Sequence, residues 1–432
     1  MALNELGLKA PVLSTEIFGG VLDTDSSGSY PGLELINFIL CVNEGVLPSV
    51  NEVNIRRSAH DFARRLIWDD TLSSIKKSEV LMNDHSEIAI RKLLKCLELP
   101  LPNITKQPTW KRIHFFPYTK SLVHWDARLN RSDSAQVSIE RQYLRGAGAY
   151  AYNVLRFDKN IERLEQIRAA FIEIYLNNEQ SPLESLAKTL KSHGKEDELP
   201  VEDIIESRSR SMFDDEMDEL YRVGMSNILS HKNLSSATKI RAIVNWTGIW
   251  FIIMGNFRAQ TTVADSPAKL IIDCAGTSQQ LRRSSQRSLK DFLKRINDSI
   301  DFHLNGRHIT GHQSQKIKGF FASTAATTKL INSLKGRRHF TFGLDCIETL
   351  AMASVTENSE VPFEEFVHEW LYKKMFLIVD RRSAQLAGML ESLDATIFEE
   401  NEQKLLEQLN AVGVLKVYSD ATKMICFGDR NV

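Results

Sequence analysis

The sequence predicts a mainly α, multidomain helical protein with a winged-helix-like module at its C-terminal end. Three observations predict this. Apolar residues recur at spacings of three and four through most of the chain, the period of an amphipathic helix. A length of 432 residues suits two or three domains, and a hydrophobic share of 43% supplies a sizeable core. Residues 341–432 run as successive helical stretches and then a β-hairpin, the order of a winged helix. The expected division is an N-terminal helical module (1–105), a central helical domain (106–340) and the C-terminal module (341–432).

Each element has its own signal. Residues 1–30 are rich in Gly, Ser and Asp towards their end and read as an irregular lead-in. Pro31 suits the first turn of a buried helix carrying Leu33, Leu35, Ile36, Phe38, Ile39 and Leu40. A second helix is expected over 51–75, with Phe62, Leu66 and Ile67 on one side and Arg56, Arg57, Arg64 and Arg65 on others. A third is expected over 88–97. Pro100, Pro102, Pro108 and Pro117 mark a crossing, with a short strand around 114–118. The helical signal resumes at Ser134, continues through Ile161, Leu164, Ile167, Phe171 and Ile174, and extends to 183–190.

Between Arg241 and Arg258 lies the most apolar stretch, with Trp246, Trp250 and a run of isoleucines. Its 16 residues are short for a bilayer span and predict a helix buried on most sides. Residues 270–272 read as a short buried strand before Asp273. Residues 279–302 read as an amphipathic helix with Leu281, Leu289, Phe292, Leu293, Ile296 and Ile300 as its stripe. Helices follow over 343–355, 362–375, 383–393 and 398–412. Gly413 suits a C-cap, and a hairpin closes the chain over 415–427.

Charge is unevenly distributed. The basic segment 281–340 holds thirteen lysines and arginines against Asp291, Asp298 and Asp301, a local charge of +10 in a chain whose net charge is -1. Concentrated positive charge is a footprint of a polyanion partner, because neutralised phosphates release counterions. The expected nucleic-acid-binding residues are Arg282, Arg283, Arg287, Lys290, Lys294, Arg295, Lys316, Lys318, Arg337 and Arg338. Arg282, Arg283 and Arg287 sit where a helix begins, against the macrodipole, which calls for an external anion or a nearby carboxylate. The acidic segment 194–220 is the counterweight, with eleven carboxylates against Lys195, Arg208 and Arg210. Its pairing with the basic segment inside the fold is the competing explanation of the charge.

Candidate chemistry is sparse, and no catalytic residue, metal site or cofactor is expected. Gly146-Ala147-Gly148 has no strand before it and Ala151 at the third glycine position, so helix packing is preferred to dinucleotide binding. The phosphate-loop pattern GxxxxGK[ST] is absent. His308 and His312 lie four apart, but Gly306 and Gly311 point to a loop there. Asp273 and Lys269 are the local candidates for a divergent Mg-dependent nuclease; a turn or helix cap is the structural alternative for Asp273. Asp380, Arg381 and Arg382 read as a salt-bridged turn. Five scattered cysteines with no CxxC pair, and a start without the pattern of a signal peptide, predict a cytoplasmic protein with no membrane contact.

Segment 270–289, with Asp273-Cys274 and Leu281-Arg282-Arg283-Ser284, and segment 409–426, with Tyr418-Ser419-Asp420-Ala421-Thr422, resemble helical accessory subunits of bacterial DNA-modification and anti-phage defence systems. The resemblance covers a small part of the chain and carries over no catalytic residue. It implies an adaptor beside separate motor, nuclease or modification subunits. The expected function is therefore a non-enzymatic subunit that contacts a nucleic-acid backbone through the basic segment and docks protein partners through the C-terminal module. A purely structural subunit and a divergent nuclease are the alternatives. The helix over 398–412 is acidic, which favours protein docking over base reading by that module.

Overall fold

A computed structural model of the chain describes residues 8–42, 44–57, 81, 83–97, 117–120, 127–129, 137–139, 146–175, 181–192, 201–205, 213–259, 266–274, 276 and 278–427. The protein is mainly helical. It forms two compact units, Met1–Ser29 with Ser211–Val432, and Tyr30–Arg210. The cuts fall at 29/30 and 210/211.

The first unit opens with α1 (Ala10–Phe18) and a 3-10 turn (Thr24–Ser26). The chain then leaves to build the second unit. There α2 (Tyr30–Cys41) is almost wholly buried and has Pro31 in its first turn. β1 (Val53–Arg57) corrects the expected helix over 51–75: Val53 and Ile55 alternate with polar neighbours at the strand period of two. Residues 58–75 of that expectation lie outside the described residues. α3 (Asp84–Leu97) follows, then β2 (Ala127–Leu129) and β3 (Val137–Ile139), an antiparallel pair with Ala127 opposite Ile139. β3 replaces the start of the helix expected from Ser134. α4 (Ala147–Arg156), α5 (Ile161–Tyr175), α6 (Pro182–Ser192) and β4 (Val201–Ile205) complete the unit, and β4 pairs antiparallel with β1.

Glu34 of α2 joins α2 to α4. Its carboxylate accepts the Gly146 N–H at 2.9 Å and the Gly148 N–H at 2.6 Å. A Cβ at Gly148 would lie 2.4 Å from Glu34 Cβ and 2.5 Å from the Pro31 carbonyl, so the two helices touch through backbone. The glycines at 146 and 148 thus serve helix capping and packing.

Returning to the first unit, α7 (Glu216–Ser230) leads into α8 (Ser236–Arg258). α8 is buried around nearly its whole circumference, as its sequence predicts. Its tryptophan N–H groups are satisfied by α7: Trp246 Nε1 donates to the Tyr221 carbonyl at 3.2 Å and Trp250 Nε1 to the Met217 carbonyl at 2.7 Å. Glycines let other helices approach; a Cβ at Gly255 would meet the Phe321 ring at 2.1 Å. Among the described residues no helix is long and apolar enough to cross a membrane.

Then come β5 (Leu270–Ile271), α9 (Gln279–Leu304), α10 (Gly311–Thr327) and α11 (Leu344–Ser354). β6 (Glu360–Pro362) runs into α12, a turn of α-helix (Phe363–Glu365) continued as a π-helix (Phe366–Lys374). β7 (Leu377–Ile378), α13 (Arg381–Leu386), a 3-10 turn (Met389–Glu391), α14 (Ala395–Ala411), β8 (Leu415–Val417) and β9 (Lys423–Cys426) end the unit. β5 and β7 pair in parallel. β6, β9 and β8 form an antiparallel sheet in that order, so the strand before α12 lies beside the last strand of the hairpin. Asn401 of α14 binds both parallel strands, donating to the Ile272 and Val379 carbonyls at 2.9 and 2.8 Å and accepting the Cys274 N–H at 2.8 Å.

Arg258, the last residue of α8, closes the base of this unit. Its guanidinium donates to the Phe18 carbonyl at 2.8 Å and pairs with Asp215 at 2.9 Å and Asp218 at 2.7 Å. Burial pushes the Asp215 carboxyl up, but hydrogen bonding and charge from Arg258 outweigh it and hold the group below its ordinary value. Burial leaves the Asp218 carboxyl above its ordinary value.

Two outcomes follow from this packing. Arg258→Met leaves the Asp218 carboxylate buried without its cation and lowers stability by about 3–5 kcal/mol, read from the urea midpoint of this unit; a loss under about 1 kcal/mol contradicts the role given to Arg258. In α14, burial and the charges of Asp380, Glu364 and Glu399 raise the Glu402 pKa. A raised folded-state pKa gives stability that is complete below the unfolded value and lost as pH rises through the folded one. Glu402→Gln is therefore more stable than the parent near about pH 7, with an advantage that vanishes near about pH 4. Thermal melts of both proteins across that range decide it.

Candidate nucleic-acid interface

α9 presents the basic residues because its other side is fixed. Ser278 caps its start, the hydroxyl accepting the Leu281 N–H at 3.2 Å, and Asn305 ends it at φ 44° in the left-handed region. Leu281, Leu289, Phe292, Ile296 and Ile300 are buried on the inner face. Small serines let the core side come close. Ser285 Oγ donates to the Phe340 carbonyl at 3.0 Å, and Ser288 Oγ donates to the Lys269 carbonyl at 2.9 Å while accepting the Ile271 N–H at 3.1 Å. The helix is thereby sewn to β5 and to the chain entering α11.

The outer face carries Arg283, Arg287, Lys290 and Lys294, all exposed and spaced four, three and four apart. That spacing lines them along the helix over about 16 Å. Among the described residues none of the four forms a salt bridge. Asp298 and Asp301 continue the same face beyond them. The four cations thus run from the second turn to just past the middle of the helix, with Asp291 exposed beside Lys290 and with Asp298 and Asp301 towards the end. Asp301, in the last turn, opposes the macrodipole by about 0.3–1 kcal/mol, whereas the four cations begin beyond the first turn, where that field has fallen off. The first turn holds no acidic residue to compensate.

The other expected binding residues divide. Arg282 does not join the outer stripe. Its Nε lies 3.4 Å from Asp273 Oδ2, and its guanidinium also donates to the Gly276 carbonyl. Arg295 donates to the Ser266 carbonyl. Lys316 pairs with Asp25 at 2.9 Å. Lys318 on α10 is partly covered. Arg337, exposed, and Arg338, partly covered, sit in a turn tied across its base. There the Asn332 N–H donates to the His339 carbonyl at 3.2 Å, and the His339 N–H donates to Asn332 Oδ1 at 2.9 Å.

Asp273 anchors this turn beside the start of α9. Its side chain is fully buried; Oδ1 accepts the Gly276 N–H at 2.7 Å, and Oδ2 faces both Arg282 and His339 Nε2, the latter at 3.7 Å. The carboxylate anticipated near the helix start is thus Asp273, and it answers Arg282 alone among the cations of the first turns. Lys269 points elsewhere. Its ammonium lies 5.1 Å from the Tyr372 ring centre and 5.5 Å from that of Phe376, and burial lowers its pKa. Asp380 caps α13 through the Ser383 N–H at 3.1 Å, and Arg381 pairs with Glu399 at 2.7 Å.

Within this unit the acidic segment finds partners outside the basic one. Asp214 pairs with Arg222 at 2.8 Å, Glu219 meets Arg222 at 3.7 Å, and Asp215 and Asp218 meet Arg258. Glu202 and Asp203 stand in β4 of the other unit, and 194–200 and 206–212 lie outside the described residues. Among the described residues the basic segment draws its salt-bridge partners from Glu16, Asp25 and Asp273. Sequence reasoning missed Asp273 as a positioning residue for Arg282 and the 332–339 turn. Its only signal was a lone carboxylate at the end of a short apolar run.

No protein-family model, curated protein or solved structure matches this chain.

Asp273→Asn keeps the shape but removes the charge shared by Arg282 and His339. The expected loss is about 1.5–3 kcal/mol in urea unfolding, the scale of hydrogen bonds to charged groups. An unchanged midpoint contradicts the anchoring role.

Proposed function

We propose that this chain is a non-catalytic accessory subunit that contacts a nucleic-acid backbone through the outer face of α9 and docks protein partners through its C-terminal module. The observation behind the first part is the line of four exposed cations, Arg283, Arg287, Lys290 and Lys294, on a helix whose inner face is fixed in the core. Spaced three and four apart, these like charges repel one another in the free helix, and a polyanion laid along them relieves that repulsion. In the 332–339 turn, tied to the start of α9 through Asp273, Lys335 and Arg337 are also exposed.

For the second part, the support is topological. α11, β6, α12, α14 and the β8–β9 hairpin follow the order of a winged helix, with β6 beside β9 as the first strand of such a sheet lies beside the last. β7 and α13 are an insertion in that order. The helix in the recognition position, α14, exposes Glu399, Glu400 and Glu407. These carboxylates repel a phosphate backbone and suit a protein partner. The resemblance of segments 270–289 and 409–426 supports a setting beside separate DNA-modification or defence subunits.

Fluorescence anisotropy with labelled oligonucleotides across a salt series tests the nucleic-acid contact. Four phosphate contacts give a log–log salt slope of roughly -3 to -4 on duplex. The variant Arg283→Glu, Arg287→Glu, Lys290→Glu, folded by circular dichroism, binds more than about 100-fold more weakly near about 50 mM salt, with a shallower slope. Wild-type protein that does not bind there, or a variant that binds equally well, overturns the reading.

A further inference from the structure

The same face narrows the kind of nucleic acid it can accept. We infer that it takes double-stranded nucleic acid through its phosphates alone, without regard to base sequence; this rests on the backbone contact proposed above.

The first ground is rigidity. The stripe is held by a 26-residue helix whose inner face is buried and whose serines bind β5 and Phe340. A fixed row of charges matches a partner whose own charges are fixed. Duplex carries one negative charge per roughly 1.7 Å of axis, against one per roughly 3.4 Å for each strand counted alone. Over about 16 Å of helix the duplex presents about twice the charge.

The second ground is what the face lacks. Proteins that hold single strands lay successive bases on aromatic rings, gaining about 1–3 kcal/mol per base. The described exposed positions of α9 along the stripe are Gln279, Gln280, Arg283, Arg287, Lys290, Asp291 and Lys294, with no ring among them. Phe302, the exposed ring of this helix, stands beyond Asp298 at the carboxylate-bearing end.

The third ground is access to bases. To read base edges a helix enters a major groove about 12 Å wide, which it fills with its full diameter of about 10–12 Å. α9 can offer that groove only its outer side, and there Asp291, Asp298 and Asp301 would stand against the phosphates that flank it. The arrangement suits a position on the phosphate ridge. Asp298 and Asp301 confine the backbone to the part of the helix up to Lys294, and the 332–339 turn, where Lys335 and Arg337 are exposed, is tied to Arg282 through the shared Asp273.

Competition anisotropy with the full chain decides it, using three unrelated duplexes of about 20 base pairs, their separated strands, and the charge-reversal triple variant. The expected result is equal affinity among duplexes to within about threefold, and single strands weaker by at least about fivefold. Single strands that bind as tightly as duplex, or duplexes that differ by more than about tenfold, overturn the duplex inference while the backbone contact stands. Loss of all salt-dependent binding overturns both. Arg283→Gln with Arg287→Gln is the gentler variant; if the triple change unfolds the protein, loss of duplex binding by the double variant supports the contact, and unchanged binding overturns it.

Discussion

A helix that is apolar around most of its circumference has to be enclosed, and α8 imposes that requirement on its unit. Trp246, Trp250, Phe251 and their neighbours leave no face for solvent. α7 takes the tryptophan side, with Tyr221 stacked on Trp250 at 4.2 Å between ring centres. α10 takes the glycine side, where Gly255 admits Phe321. The C-terminal end of α8 brings Arg258 under the Phe18 carbonyl and the start of α7, so a single buried guanidinium sets where α1 ends and α7 begins. Its charge is tolerated there because two carboxylates and a carbonyl replace the water it leaves.

The position of α9 follows from that enclosure. It lies over the core with Phe292 against Phe321 and Phe340, edge to face at 5.9 and 6.1 Å. Everything basic on its outer side is a by-product of where its inner side is held. The fate of the charges is divided. Arg282, Arg295 and Lys316 serve the fold, whereas Arg283, Arg287, Lys290 and Lys294 have no salt-bridge partner among the described residues. Net charge along a segment therefore overstates the surface available to a partner, and the helical period determines which charges are outward.

Elements whose stability is local were legible in the sequence. α8, α9 and the β8–β9 hairpin announce themselves through apolar runs, a 3.6-residue stripe with a serine cap, and turn residues between alternating positions. Elements completed by distant partners were not. Val53–Arg57 and Val137–Ile139 look like parts of helices until β4 and β2 supply their ladders. β7 is two residues long and exists because β5, more than a hundred residues earlier, runs parallel to it. The basic segment was visible as charge, but separating the four outward cations from the three engaged ones needed Asp273, Ser266 and Asp25 in place. Asp273 itself reads as a lone acid after a strand; its role is defined by a turn some sixty residues later.

The discontinuity of the first unit has a consequence for how the chain is made. Residues 8–29 must wait for their partners: the Gly28 N–H donates to Thr324 Oγ1 across a separation of 296 residues. At about 5–20 residues per second of synthesis, that wait is on the order of 15–60 s. During it Leu13, Ile17 and Phe18, fully covered in the finished unit, stay exposed while the second unit is being made. The second unit has its own sheet and helix pairs and can close while the first is open. Synthesis order thus leaves the apolar side of 10–18 uncovered for that interval, and slowing translation between 211 and 324 lengthens it.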